Sequence, residues 1–172
     1  SALQNVADNG LEDKIEVRLA NGLAAFEPTD GISCITIAGM GGRLIADILA
    51  AGLEKLAKVS RLVLQPNNRE DELRAWLVDH DFRIVDEAIL EENEKFYEIL
   101  VVEQGSQELT AKELRFGPNL MREQAPAFVQ KWFKEVEKLA FALEQVPVEN
   151  QSARASLEER IAHIKEVLHV SK

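Results

Sequence analysis

With 172 residues, 46% of them hydrophobic, the chain is long enough for one packed core and a small appendage. No apolar run approaches the ~20 residues that cross a bilayer, and the single cysteine, Cys34, excludes an internal disulfide, so the expected setting is the cytoplasm. A formal charge of −10 argues against broad, non-specific adhesion to nucleic acid or anionic membrane, and one cysteine with three scattered histidines has no metal-site spacing.

The chain opens inside an element: Leu3, Val6 and Ala7 have helical spacing that stops at Gly10. Ile15, Val17 and Leu19 then alternate with Glu16 and Arg18, which predicts a half-buried strand ending at Ala20-Asn21-Gly22. One short helical turn fits Leu23 to Phe26, before Pro28 and Asp30-Gly31 break the pattern. Ile32, Cys34, Ile35 and Ile37 run into Gly39-Met40-Gly41-Gly42, and Leu44, Ile45, Ile48 and Leu49 begin a helix expected to reach about Leu56. A buried parallel strand reads as such an apolar run, and ligands of open α/β sheets lie beyond the carboxyl ends of these strands. Glycines there let the backbone approach a ligand, and the N–H groups of the following helix favour electron-rich atoms. A dinucleotide fingerprint would need a third small residue, yet Leu44 occupies that position, and the next strand ends in Gln65 rather than an acid for a ribose hydroxyl. A tight turn without a ligand is the plainer alternative.

Arg61 to Leu64 predicts the next strand, ending in Gln65-Pro66-Asn67-Asn68. Asn68 suits an N-cap, with Glu70, Asp71 and Glu72 in the first turn of a helix that faces Leu73, Trp76 and Leu77 inward. The turn can serve as a cap alone or as a cap with a ligand contact. Residues 82–90 and 96–103 are β-rich, and the five polar residues from Glu91 to Lys95 are too few for a parallel crossover, so the two strands should form a hairpin. Strand–helix–strand–helix closed by a hairpin predicts an α/β protein whose doubly wound sheet finishes on an antiparallel strand.

Residues 104–117 turn polar, and Phe116-Gly117-Pro118 reads as a boundary between a sheet domain, 1–117, and a helical part, 118–172. Phe128, Trp132, Glu135 or Val136, Leu139 and Leu143 recur at four- and three-residue steps, as do Leu157, Ile161, Ile164 and Leu168. The residues Pro147 to Asn150 separate the two seams, so an antiparallel helical hairpin is expected. Lys112, Arg115, Arg122, Lys131, Lys134 and Lys138 gather where the sheet meets the hairpin, either as a solvated face interleaved with Glu123, Glu135 and Glu137 or as contacts for phosphates. His80, His163 and His169 read as surface or helix-end residues rather than metal ligands.

IEVRLANGL, ITIAGMGG, RLVLQPNN, FYEILVV and RFGP, in this order and ahead of a helical hairpin, resemble the bacterial tRNA (adenine(22)-N(1))-methyltransferase family. The resemblance implies a Rossmann-like class I methyltransferase sheet with a C-terminal antiparallel coiled coil, S-adenosyl-L-methionine as cofactor and tRNA as substrate. The family's first strand, helix and second strand, with its principal glycine-rich motif and an acidic ribose ligand, have no counterpart here, so this chain alone is expected to bind cofactor weakly and to be inactive. Asn21 and Gly22 would face the cofactor adenine; Gly39, Met40 and Gly41 would lie beside the reactive methyl; Gln65, Pro66, Asn67 and Asn68 would line the next rim and position substrate. The six cations at the junction become candidates for tRNA contact. Attack of adenine N1 on a methyl group gains mainly from positioning, with effective molarities of ~10⁵ M or more within reach, and a stacked base must be flipped out to get there. No general base stands out. The competing reading is a non-catalytic binding or scaffold module that keeps the sheet and hairpin.

Overall fold

The computed structural model describes residues 1–169, in which four strands form one mixed sheet of order β1-β2-β4-β3. β1 (Cys34–Met40) is parallel to β2 (Arg61–Pro66), while β4 (Lys95–Gln104) is antiparallel to both β2 and β3 (Phe82–Glu92). A short helix α1 (Ala2–Asp8) precedes the sheet. Two parallel strands need a crossover, which α2 (Gly42–Ala51) and a 3-10 segment (Leu53–Lys58) supply. The break falls at Gly52, where a Cβ would come within 2.7 Å of the Leu23 side chain, so the helix stops short of Leu56. From β2, α3 (Glu70–Asp79) leads into the hairpin, whose strands extend to a turn at Asn93 and Glu94. Both turn residues have positive φ, 51° and 64°, as the tight hairpin turns matched to strand twist require.

The sheet core joins Ile45 and Leu49 of α2 to Leu73 and Leu77 of α3 over Leu64 and Leu100, all fully buried. A second core is helical, built from α4 (Ala111–Phe116), α5 (Pro118–Glu123), α6 (Pro126–Gln145) and α7 (Gln151–Val167). Phe128, Trp132 and Leu139 of α6 meet Ile164 and Leu168, with Val136, Leu157 and Ile161 at the margins, so the two seams do zip α6 against α7.

Besides the early end of α2, the sequence expectation differs from the structure at three places. Among the described residues Ile15 to Leu19 has no ladder partner and is irregular, with Leu19 fully exposed: alternation describes one strand, but a strand exists only when a neighbour takes its backbone groups. β1, read as buried on both sides, has one neighbour among the described residues; Cys34 is exposed and Ile35 and Ile37 are half-buried. Asn68 does not cap α3. The residue before the helix is Arg69 in the left-handed region, φ 54°, with no side-chain cap, and Asn68 turns instead toward Gly41.

The two cores are joined by a buried ionic network. Arg74 of α3, fully buried, donates to Glu87 of β3 (2.8 Å), Glu98 of β4 (2.6 Å) and the Leu114 carbonyl of α4 (3.2 Å). Glu98 also accepts from Lys131 of α6 (2.7 Å), which reaches Glu70 as well (3.1 Å), and Glu87 accepts from the Asn119 N–H (2.9 Å) that opens α5. Burial opposes the charge of Arg74, yet Glu98 and Glu87 together hold its pKa above the ordinary value. Burial also pushes the Glu87 carboxyl up, against the pull of Arg74. Gly117 is what admits the network. Its φ is 84°, and a Cβ there would lie 2.7 Å from Arg74 Nη2 and 2.8 Å from both Glu87 oxygens.

Candidate active site

β1 and β2 end side by side, and the backbone that leaves each of them forms the site. At the end of β1 the ladder slips one residue between Ala38 and Met40, and the extra residue is Gly39 at φ 79°. A bulge of this kind needs the left-handed conformation that glycine adopts without penalty. Its orphaned N–H donates to the Gln65 side chain (2.8 Å). Two further bonds tie the turns together: Asn67 N–H to the Met40 carbonyl (2.7 Å) and Gly42 N–H to the Asn68 carbonyl (2.9 Å). The AGMGG and QPNN turns are thus one laced unit.

The glycines divide their labour. A Cβ on Gly39 would meet nothing within 4 Å, so this residue leaves open space above the strand end. A Cβ on Gly42 would lie 2.4 Å from the Arg69 carbonyl oxygen and 3.0 Å from that of Asn68, so here glycine is required for the turns to touch. Gln65 completes the clasp, its amide nitrogen donating to the Pro66 carbonyl and to Asn67 Oδ1, both at 3.0 Å. Asn67 is exposed, with its NH₂ free of any hydrogen-bond partner among the described residues. The role of Gln65 as a clasp was not visible in the sequence, because it depends on a register slip in a different strand.

Asn21 and Gly22 lie against the flank of α2, the helix whose N-terminus the glycine turn feeds. Gly22 has φ 55°, a Cβ there would be 3.1 Å from Ile48 Cγ2, and the cavity beside it, about 410 Å³, is bordered by Leu44, Asp47 and Lys55. Of the six cations at the junction, the structure brings Arg115, Lys131, Lys134 and Lys138 to one cleft facing Asn67 and Asn68. Lys112 instead pairs with Glu166 of α7 (2.6 Å), and Arg122 stands at the end of α5. Phe96, Trp132, Asp71 and Glu94 also line that cleft. These four were not legible as site residues, since they come from four separate elements.

Residues 1–166 match the profile of the tRNA (adenine(22)-N(1))-methyltransferase family. The chain belongs to this family. The tRNA (adenine(22)-N(1))-methyltransferase of Bacillus subtilis is 36% identical over 179 residues, which cover 98% of this chain and 75% of that protein. A Streptococcus pneumoniae protein crystallised in complex with S-adenosyl-L-methionine is 64% identical, with a TM-score of 0.89 over 98% of this chain and 75% of the other. A Streptococcus agalactiae protein of the NADB-Rossmann superfamily is 59% identical, with a TM-score of 0.89, covering 97% of this chain and 73% of its own. The sheet is therefore Rossmann-like, and membership of the methyltransferase family removes the dinucleotide reading of AGMGG. Among the described residues no helix is long and apolar enough to cross a membrane.

Proposed function

We propose that the chain carries the substrate-positioning site of an S-adenosyl-L-methionine-dependent enzyme that methylates N1 of adenine 22 in tRNA. The observation that carries this reading is the lacing of the glycine turn to the QPNN turn, which fixes an open strand end beside an exposed amide. S-adenosyl-L-methionine supplies an electrophilic methyl group. Gly39, Met40 and Gly41 fit a bound group there, because the backbone at Gly39 is held by Gln65 and no side chain fills the space above it. Asn21 and Gly22, on the flank of the same α2, are the further candidates for the cofactor.

Adenine N1 would take the methyl on its lone pair as the sulfur–methyl bond breaks and S-adenosylhomocysteine leaves as the neutral thioether; the product ring is cationic, and an N6 proton leaves to water. What the protein must do is hold the base in line, and Asn67 offers both an acceptor and a donor amide to its edge. Around this point Gln65, Pro66 and Asn68 form the rim, and the helical part beyond it supplies the remaining contact with tRNA.

In the full-length protein, Asn67→Ala is expected to lower the single-turnover methylation rate of unmodified tRNA at least ~10-fold, about 1.4 kcal/mol of transition-state stabilisation. The melting temperature should hardly change, because the side chain is exposed and its one hydrogen bond is to Gln65. A wild-type rate, or a loss that merely follows a loss of stability, would remove the substrate from this turn. A scaffold protein would show no methyl transfer in the same assay.

A further inference from the structure

Between the QPNN turn and α6 lies a cleft of about 720 Å³, within the ~300–1,000 Å³ of small-ligand sites. Its charges balance but are not all paired. Lys131 is held by Glu98 and Glu70, and Lys138 lies 3.6 Å from Glu135, which also faces Arg160. Arg115 and Lys134 have no hydrogen bond or ion pair among the described residues. The Arg115 guanidinium lies over the rings of Phe116 (4.9 Å) and Trp132 (5.6 Å), which fix its position without neutralising it. Lys134 Nζ stands 5.1 Å over Phe96. The indole N–H of Trp132, a residue 7% exposed at the cleft wall, is a buried side-chain polar atom without a partner among the described residues. Burial, and then the like charge of Arg160, hold the Arg115 guanidinium below its usual pKa.

A part-buried cation without a counter-charge is costly, and an acceptor-rich anion in the cleft satisfies it. Asp71 and Glu94 also line the cleft, acceptors of the kind that receive hydroxyl or amine protons. A balanced cleft of this sort has little pull on nucleic acid in general, in keeping with the net charge of −10. Its mixed lining suits one nucleotide, which carries both an anionic phosphate and hydroxyl or amine donors.

We propose that this cleft is the subsite for a tRNA nucleotide adjoining the target adenine, with Arg115 and Lys134 holding its phosphate and Asp71 and Glu94 accepting from its ribose hydroxyl or base amine. The assignment rests on the target base lying at the QPNN turn. It is tested by measuring the affinity of the purified protein for unmodified tRNA across a salt series, for the wild type, Arg115→Ala and Lys134→Ala.

Arg115→Ala should weaken binding at least ~10-fold and reduce the slope of log affinity against log salt by about 0.7 to 0.9, the loss of one phosphate contact. Exposed Lys134 can be removed without touching either core, and Lys134→Ala should lower the slope similarly while leaving the melting temperature and S-adenosyl-L-methionine affinity unchanged. A wild-type slope in Lys134→Ala overturns the subsite, whatever Arg115→Ala does to stability. So does a wild-type slope in a stable Arg115→Ala. Methylation by the full-length wild type is scored separately: its absence would sink the proposed function, whereas the salt slopes require no turnover.

Discussion

Arg74→Ala is expected to cost about 3 to 5 kcal/mol of stability, because removing one member of a buried ion network leaves the others charged and unpaired. Glu87 and Glu98 would lose their closest cation inside a core where both are 3% exposed or less. For a chain of this size such a loss lowers the melting temperature by roughly 10 °C. Lys131 would remain on Glu98, so the loss should stop short of unfolding the sheet core, which Ile45, Leu49, Leu64 and Leu100 hold independently. Replacing Arg74, Glu87 and Glu98 together with apolar residues of similar volume should cost far less than the single change. Urea titration of the three proteins is the measurement, and a loss below about 1 kcal/mol for Arg74→Ala would mean that water reaches the network.

Gly42→Ala should have the largest effect on methylation of any small substitution. The new methyl group would sit 2.4 Å from the Arg69 carbonyl oxygen, and backbone cannot rotate out of the way as a side chain can. The turns must part, stretching the Gly42 N–H bond to Asn68 and carrying Asn67 with it. A displacement of ~1 Å at a positioning site costs about 10²-fold in rate, while overpacking lowers stability by about 1 to 3 kcal/mol. Gly39→Ala makes the contrast: nothing blocks its Cβ, so its penalty is the left-handed backbone alone, about 1 to 2 kcal/mol. Single-turnover methylation with a thermal melt separates the two. A Gly42→Ala protein at the wild-type rate would show that the lacing of the turns does not position substrate.

Features encoded by neighbouring residues were legible in the sequence. The glycine turn, the β3–β4 hairpin and the α6–α7 seam each rest on periodicity or turn chemistry within a short window. The Arg74 network was not, because its members lie 13, 24 and 33 positions apart and each reads alone as a surface charge. One signal for it does exist. Glu98 falls in phase with buried Leu100 and Val102, so β4 carries a carboxylate on its inward face. Glu87 has no such signal, since the register slip between Ile84 and Asp86 moves it onto the inward face from an odd position. The Ile15–Leu19 error has the opposite origin: the local pattern is clear, and what is missing is the partner. For the site, sequence placed Gln65 and Asn67 on a rim but could not show that one clasps Gly39 and the other faces solvent.

The lacing of the two turns also has a thermodynamic side. Gly39 through Gly42 and Gln65 through Asn68 cannot shift separately without breaking a hydrogen bond of 2.7 to 2.9 Å. Whatever settles against the glycine turn therefore does part of the ordering that a base at Asn67 would otherwise require. Linkage makes such an effect reciprocal: if occupancy at one turn tightens binding at the other by some factor, the reverse factor is the same. Cofactor and tRNA should then bind with positive cooperativity, and Gln65→Ala, which cuts the bonds to Gly39 and to Asn67 Oδ1, should bring that factor toward one.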